Sequence, residues 1–179
     1  AVITVGSFHS GAKHNIISDE AKLQLTVRSY SDESRKLLLD GIRRVARGEA
    51  ITAGLPEELY PVVTVEDPYT PSTFNDPDFT EEMAATFRER FGDQAVFATP
   101  AVMGGEDFSQ FRRAAPEDVK SMIFWISGTP ADMLTALKEE GKPLPSLHSP
   151  YWAPDAEAVV RTGAEALAGA ALDLMPANG

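Results

Sequence analysis

The sequence predicts a mixed α+β and α/β chain in two parts: a partial ferredoxin-like (split βαβ) unit over residues 1–68, and part of an α/β domain over residues 69–179. Three observations carry this prediction. Residues 23–28 alternate apolar and polar side chains, as a strand with one buried face does. Residues 122–126 are apolar on both faces, which is typical of a strand covered by helices on both sides. Residues 66–72 contain two prolines and mark a boundary.

The first part reads as strand, strand, helix, strand. The β-forming residues at 2–5 have no turn signal or helix cap before them, so we expect the chain to begin inside a strand. A connection over residues 6–19 leads to the second strand, and Ser31 or Asp32 can cap a helix that runs to about residue 47. Residues 60–65 read as the next strand. This order is a split motif that lacks its first strand and helix. The apolar side chains expected to face the core are Leu23, Leu25, Val27, Leu38, Ile42 and Val45.

The second part is predicted to alternate helices with apolar segments. Helices are expected over residues 80–91, 130–140 and 154–174, and a short helix over 108–113. A short apolar stretch at 95–98 and the strand at 122–126 lie between them. The inward side chains are predicted to be Met83, Phe87 and Phe91 on the first helix, and Val160, Leu167, Ala171 and Leu174 on the last.

Composition limits the classes of function. The chain has 27 acidic against 16 basic residues, a net charge of -11, which repels nucleic-acid phosphates and anionic membrane surfaces. We therefore predict a soluble globular protein with neither partner. No apolar run approaches the roughly 20 residues that cross a bilayer. The chain has no cysteine, so thiol chemistry does not indicate a compartment, which stays open between cytoplasm and periplasm.

Three short segments carry residues suited to chemistry. They are residues 11–19 leading to Arg28, then Met103-Gly104-Gly105-Glu106-Asp107-Phe108, then Leu147-His148-Ser149-Pro150. In this order, over essentially the whole chain, they resemble the zinc-dependent amidohydrolases of metallopeptidase clan MH. The similar branch includes hippurate hydrolases, N-acyl-amino-acid aminoacylases and indole-acetyl-amino-acid hydrolases. The resemblance implies an α/β catalytic domain with zinc, or another divalent metal such as manganese or cobalt, and an inserted lid that forms a homodimer.

By this resemblance, residues 1–68 are the second part of the lid, and residues 69–179 are the C-terminal part of the catalytic domain. The other metal ligands and the carboxylate general base are then expected upstream of Ala1, so we predict that this piece is inactive alone. The implied reaction is hydrolysis of the amide bond of an N-acyl amino acid or small peptide. A metal would polarise the carbonyl and activate water.

The resemblance assigns roles to single residues. His148 matches the C-terminal metal ligand, and a neutral imidazole is a common ligand of zinc; alone, such a histidine reads as a loop residue that makes hydrogen bonds. Asn15 and Arg28 match residues that reach the substrate, Arg28 as a clamp for its carboxylate because the guanidinium fork makes two parallel bonds. Their alternatives are turn chemistry for Asn15 and a solvated surface charge for Arg28. The family usually has proline where this chain has Ser18.

The remaining candidates surround the glycine pair. Gly104 and Gly105 allow close approach of backbone to ligand, so their N–H groups can face a substrate carboxylate; a plain tight turn explains them equally. Glu106 and Asp107 match an acidic pair that orients a metal-bound histidine or water, with a helix N-terminus as the alternative. His9 and His14 are interpreted as loop residues near the dimer seam.

Two other classes of function stay open from the residues. One is a non-catalytic ligand-binding or oligomerisation module on a ferredoxin-like sheet, with Arg28 as an anion anchor. The other is a structural domain without a site. The first leaves His148 and the segment from Gly104 to Asp107 unexplained, and the second explains none of the three segments. The acyl group, the preferred amino acid and the metal are not determined by this sequence.

Overall fold

The computed structural model describes residues 1–175 and shows an α+β chain with two compact units. One unit comprises residues 1–74 and 100–119, and the other comprises residues 75–99 and 120–175 of the described chain. The sequence-based division at residue 68, which assigns lid and catalytic parts, stays a prediction. No helix of the described residues is long and apolar enough to cross a membrane.

The first unit is built on an antiparallel hairpin. Strand β1 (Val2–Ser10) pairs with β2 (Ala21–Arg28), and the register runs from Val2 opposite Arg28 to Ser10 opposite Ala21. The register shifts between Val5 and Ser7, which leaves Gly6 as an extra residue of a bulge. The predicted connection over residues 6–19 is therefore shorter, because β1 continues to Ser10. The prediction that Leu23 and Leu25 are buried is wrong, since they are 47% and 39% exposed.

Helix α1 (Asp32–Thr52) follows β2 and is five residues longer than expected. Its start is capped as predicted, because the Ser31 hydroxyl accepts a hydrogen bond from the Ser34 N–H. Leu38 and Ile42 are half-buried, but Val45 is exposed and Ala50 takes the buried position near the C-terminal end. A 3₁₀ turn (Glu57–Leu59) comes next. Residues 60–65 form no strand, contrary to prediction: Pro61 has no N–H to donate, and no described segment pairs with them.

The second unit has a small apolar core between two helices. Helix α2 (Pro77–Phe91) is capped by the Asp76 side chain, which accepts from the Phe79 N–H. Its predicted inner face is confirmed at Met83 and Phe87, which are 2% and 7% exposed. A 3₁₀ turn (Asp93–Ala95) occupies part of the predicted apolar stretch. Helices α3 (Ser109–Ala114, in the first unit), α4 (Ala131–Glu139) and α5 (Ala156–Leu174) all lie where helices were expected.

Helix α5 packs through a face next to the one predicted, and of the four predicted inward residues only Ala171 is half-buried. Val160 and Leu167 are 70% and 62% exposed, and Leu174 is exposed as well, whereas Ala166 and Gly169 are buried. A Cβ at Gly169 would come within 2.7 Å of the Arg90 side chain of α2, so that side chain would have to shift. The small residues therefore allow α2 and α5 to approach closely, and the larger aliphatic side chains point away from this contact.

Residues 122–126 pack in the core without being a strand. Met122 and Phe124 contact the buried cluster, and the Phe124 ring lies 5.0 Å from that of Phe87. The segment is held by the side chain of Asn75. Its Nδ2 donates to the Ile123 carbonyl, and its Oδ1 accepts from the Ile123 N–H, both at 2.8 Å. The predicted strand is wrong because the one sheet of the described residues is the β1–β2 hairpin.

Candidate functional site

Arg28 contacts the glycine-rich segment directly. It is the last residue of β2, and its Nη1 donates a hydrogen bond to the carbonyl of Met103. Two of the three segments singled out in the sequence therefore meet in the first unit. Arg28 is exposed, and a guanidinium has five N–H donors, so most of its donors are left for a further acceptor. The interpretation as a purely solvated charge does not describe this arrangement.

Gly104 and Gly105 lie in this loop without a conformational need for glycine. Neither has a positive φ, which the tightest glycine turns require. A Cβ added to Gly104 would come no nearer than 3.9 Å to Val102, and one added to Gly105 would meet nothing within 4 Å. The space next to both residues is open. A turn that needs glycine for a positive φ is therefore not present here, and a role of the two residues towards a ligand stays a prediction.

Glu106 and Asp107 lead into helix α3. The Glu106 carboxylate accepts a hydrogen bond from the Phe108 N–H at 3.1 Å, and the Asp107 carbonyl accepts from the Gln110 N–H at 3.0 Å. The Glu106 contact is the one expected of an acidic side chain at the start of a helix, whereas the Asp107 contact uses only its backbone. A role in orienting a metal-bound group stays a prediction for both residues.

Asn15 is exposed in the turn between β1 and β2. Ser18, which stands where proline was expected, ties the end of this connection: its hydroxyl donates to the Glu20 carbonyl at 2.7 Å and accepts from the Glu20 N–H at 3.2 Å. The Ser10 hydroxyl donates to the same carbonyl at 3.1 Å. A pair of hydroxyl contacts therefore replaces the restraint that proline would give. The role of Asn15 towards a substrate stays a prediction.

The three histidines lie in different settings. His9 is part of β1, opposite Lys22, so its interpretation as a loop residue is wrong. His14 is exposed in the hairpin connection, where a shallow depression is lined by Gly11, Lys13 and His14. A place at a dimer seam stays a prediction for both.

His148 lies in a loop made of consecutive turns. The Ser149 N–H donates to the Ser146 carbonyl at 2.9 Å, and the Trp152 N–H donates to the Ser149 carbonyl at 3.1 Å. The Asp155 N–H donates to the Gly128 carbonyl at 2.9 Å, and this bond fixes the end of the loop. Gly128 lies two residues beyond segment 122–126. The His148 side chain is exposed, and its ring makes no hydrogen bond with the described residues. Its nitrogens are therefore accessible for a ligand.

These residues do not make a metal site by themselves. Imidazole suits zinc and similar divalent metals, so His148 fits such a group as one ligand. Catalytic zinc takes about three protein ligands. Among residues 1–175, no three His, Asp or Glu side chains are grouped so that they could hold a metal ion. The described part of the chain therefore offers one donor and not a complete set.

Three residues near Arg28 were not singled out from the sequence. The Tyr30 hydroxyl donates to the Ala101 carbonyl at 3.2 Å, and Asp32 pairs with Arg113 at 2.7 Å. The hydrogen bond from Arg113 is the main reason that the pKa of Asp32 is lowered below its ordinary value, and Asp32 in turn raises the pKa of Arg113. In the sequence, Asp32 signals only a helix start, and no pattern connects it to a residue 81 positions away.

Comparison with known proteins places the chain in a family. Residues 4–171 match peptidase family M20/M25/M40. The chain is 31% identical over 172 residues to the putative amidohydrolase YhaA of Bacillus subtilis, covering 96% of this chain and 39% of that protein. It is 35% identical over 115 residues to thermostable carboxypeptidase 1 of Saccharolobus solfataricus, covering 64% and 28% of the two chains. It is 33% identical over 126 residues to the N-acetyldiaminopimelate deacetylase of Streptococcus sanguinis, covering 70% and 31%.

A solved structure agrees with these relatives. The Bacillus subtilis YXEP protein, described as a dinuclear metal-binding peptidase from the M20 family, superposes with a TM-score of 0.66 at 27% identity. The match covers 97% of this chain and 42% of that one. The chain thus spans 28–39% of the length of the curated relatives compared above. The match over nearly all of its residues shows that the chain belongs to peptidase family M20/M25/M40.

Proposed function

We propose that this chain is the C-terminal part of a metal-dependent hydrolase that cleaves the amide bond of N-acyl amino acids or small peptides. The observation that carries the proposal is the contact between Arg28 and the Met103 carbonyl, beside two glycines whose surroundings are open. The proposed aminoacylase-type activity is further supported by relatives that are named as an amidohydrolase, a deacetylase and a carboxypeptidase.

In the proposed site, Arg28 and the glycine backbone bind the carboxylate of the substrate. Arg28 supplies a fixed positive charge and N–H donors in a planar fork, which matches the geometry of a carboxylate. The N–H groups of Gly104 and Gly105 add neutral donors where no side chain blocks approach. This arrangement selects substrates with a free carboxylate next to the scissile amide and fixes their orientation.

His148 is proposed as one ligand of a divalent metal, zinc or alternatively manganese or cobalt. Its exposed ring supports this role, and the neighbour in the solved structures is named as dinuclear. When bound, the metal would supply Lewis-acid activation of the carbonyl and of water. Glu106 and Asp107 are proposed to orient a metal-bound histidine or water, and Asn15 to donate a hydrogen bond to the substrate.

Residues 1–68 are proposed to be the second part of a lid through which two copies associate. The outer edges of β1 and β2 have no strand partner among the described residues, and unpaired edges favour association. Apolar side chains on this hairpin are exposed, including Val5 at 52% and Phe8 at 63%. A homodimer would cover this surface. A strict monomer of the full-length gene product in light scattering would contradict this part of the proposal.

The proposal is tested with the full-length gene product, loaded in turn with zinc, manganese and cobalt. We expect hydrolysis of at least one member of a panel of N-acetyl and N-benzoyl amino acids, measured by release of the free amino acid. The chain of residues 1–179 alone should release none, because it offers a single imidazole as ligand. Absence of hydrolysis by the metal-loaded full-length protein over the whole panel would contradict the proposed function.

The Arg28→Lys variant tests the substrate-binding part. Lysine keeps the charge and loses the bidentate geometry, so we expect KM to rise more than kcat falls. The loss is expected to be on the order of 1 to 3 kcal/mol in kcat/KM, the range of charge-assisted hydrogen bonds. The matched control is the same substrate with its carboxylate converted to a primary amide, for which the variant should differ little from the wild type. An equal KM for the carboxylate substrate in both proteins would remove Arg28 from the site.

A further inference from the structure

We propose that Tyr30, Asp32 and Arg113 are positioning residues, which hold the loop of residues 101–108 at the end of β2 so that its glycine N–H groups face the substrate. The inference rests on the proposed function, because that function gives the loop its purpose. It goes further by assigning the orientation of this loop to three residues that do not touch the substrate themselves.

The loop is attached on its upstream side by two side chains, those of Arg28 and Tyr30, which are separated by one residue. Arg28 donates to the Met103 carbonyl, and Tyr30 donates to the Ala101 carbonyl at 3.2 Å. The donors run from Arg28 to Tyr30 along the chain, while their acceptors run backwards from Met103 to Ala101. This is the order of an antiparallel strand pair, but here the donors are side chains and not backbone N–H groups. Both acceptors are backbone carbonyls, one directly before Gly104 and the other three residues before it. The contacts therefore fix the backbone and do not depend on the identity of the loop side chains.

The downstream side of the loop is attached through α3. Arg113 in α3 pairs with Asp32 in the first turn of α1, at 2.7 Å. The Glu106 carboxylate and the Phe108 N–H join the loop to the start of α3. Asp32 lies two residues beyond Tyr30, so a single stretch after β2 holds both ends of the loop. A shift of this stretch would move both attachments together.

The glycines between these attachments have no contacts of their own to fix them. Neither Gly104 nor Gly105 makes a hydrogen bond with another residue in the described part of the chain, and neither has a side chain. Glycine also has the widest choice of backbone conformation of any residue. The direction of their N–H groups is therefore set by the flanking contacts. Weakening either flank should leave the fold in place and release the loop.

The first test measures release of the loop directly in the full-length gene product. Glutamyl endopeptidase cleaves after Glu106, inside the loop, and this cut is identified by the mass of its fragments. Cleavage tracks the population of the open loop when opening is fast relative to cleavage. We expect Tyr30→Phe and Asp32→Asn each to increase the rate of this cut by about 2- to 10-fold, the equivalent of one hydrogen bond.

The controls remove similar groups elsewhere. Tyr60→Phe removes a hydroxyl that does not contact the loop. The aromatic ring, which lies under the Arg47 guanidinium, is kept in this variant. Asp40→Asn breaks an exposed ion pair with Lys36 on the same helix as Asp32. Both controls should be cut at the wild-type rate. Equal rates in Tyr30→Phe, Asp32→Asn and the wild type would overturn the inference.

The second test separates positioning from a purely structural role. In a metal-loaded enzyme, Asp32→Asn should raise KM for the carboxylate substrate by about 2- to 10-fold and leave KM for its primary amide unchanged. Asp32→Glu, which keeps the charge, should have a KM for the carboxylate substrate that is close to the wild-type value. Equal changes for both substrates would contradict positioning of the carboxylate-binding loop. If the wild type hydrolyses no substrate, the proposed function fails, whereas the protease test still decides whether these residues hold the loop.

Discussion

Arg28 and His148 reach their positions in different ways. Arg28 meets a loop 75 residues away in sequence, and that loop is held by side chains from β2 and α1. His148 lies in a loop formed by turns between neighbouring residues, with one more distant bond, from Asp155 to Gly128. The first arrangement depends on tertiary structure, and the second depends mainly on local backbone conformation. Perturbations of the two regions should therefore differ in kind: distant substitutions should affect the Arg28 region, and nearby ones the His148 loop.

The largest effect is expected when His148 itself is replaced. In the full-length gene product, His148→Ala should reduce the metal content, measured by elemental analysis, and abolish amide hydrolysis, because one ligand of the proposed site is lost. The side chain is exposed, so the unfolding transition of the metal-free protein should change little.

His9→Ala is the matched control, since His9 belongs to β1. This variant should keep both metal and activity. An alanine variant at His148 that retained its metal and its activity would show that the ring is an ordinary loop residue.

A smaller effect is expected from Gly128→Ala, which presses on the His148 loop. An added Cβ would lie 3.1 Å from the Pro154 Cβ and 3.3 Å from the Trp152 Cζ2, closer than side chains normally pack. Overpacking of this kind costs about 1 to 3 kcal/mol, and the partly exposed loop can move to relieve part of it. We expect a loss of about 1 kcal/mol in unfolding free energy and a shift in tryptophan emission.

Tryptophan emission is a useful measurement because both tryptophans, Trp125 and Trp152, belong to the second unit. The control is Gly48→Ala in α1, where an added Cβ meets nothing within 4 Å. That substitution should raise stability by about 0.5 to 1 kcal/mol, because alanine favours helix, and should leave the emission unchanged. An unshifted emission in Gly128→Ala would show that the loop does not depend on this contact.

The same contrast explains which parts of the fold the sequence could predict. Helices α1, α2 and α5 were located because apolar side chains recur along each of them at helical spacing, and the start of α1 was also marked by the Ser31 cap. The predicted strands at 60–65 and 122–126 did not form because an apolar run becomes a strand only when a neighbour pairs with it. Whether such a neighbour exists is not encoded in the run. The packing face of α5 was misassigned because hydrophobicity favoured Leu167, whereas the buried residues of this helix are the small Ala166 and Gly169.

The candidate site divides in a similar way. Arg28, the glycine pair and His148 were singled out by the family resemblance of the three segments that carry them, and their roles stay predictions. The contact between Arg28 and Met103 could not be found in this way, because it joins residues brought together only by folding. Tyr30, Asp32 and Arg113 were missed for the same reason. Their sequence signals, an aromatic residue after a strand and charges near helix ends, are common features of surfaces and of helix ends.

The smallest effect, and the last test of the contrast, is the pH dependence of the Asp32–Arg113 pair. Arg113 lowers the pKa of Asp32 from its ordinary value of 3.8, so the folded state favours the charged carboxylate. The stabilisation is fully present above the pKa of the unfolded state, and it is lost as the pH falls through the lower pKa of the folded state. Both side chains are more than a third exposed, which limits the contribution to less than about 1 kcal/mol.

We therefore expect the wild type to exceed Asp32→Asn in unfolding free energy by a constant amount from neutral pH down to about pH 5, and the difference to close below about pH 4. High salt should reduce the difference, since both groups are accessible to ions. Chemical denaturation at a series of pH values measures it. Asp40→Asn, which breaks an exposed ion pair on the same helix, provides the comparison for the size of the effect. A difference for Asp32→Asn that widened towards low pH would show that the pair destabilises the fold, and the long-range attachment of the loop would then need another source.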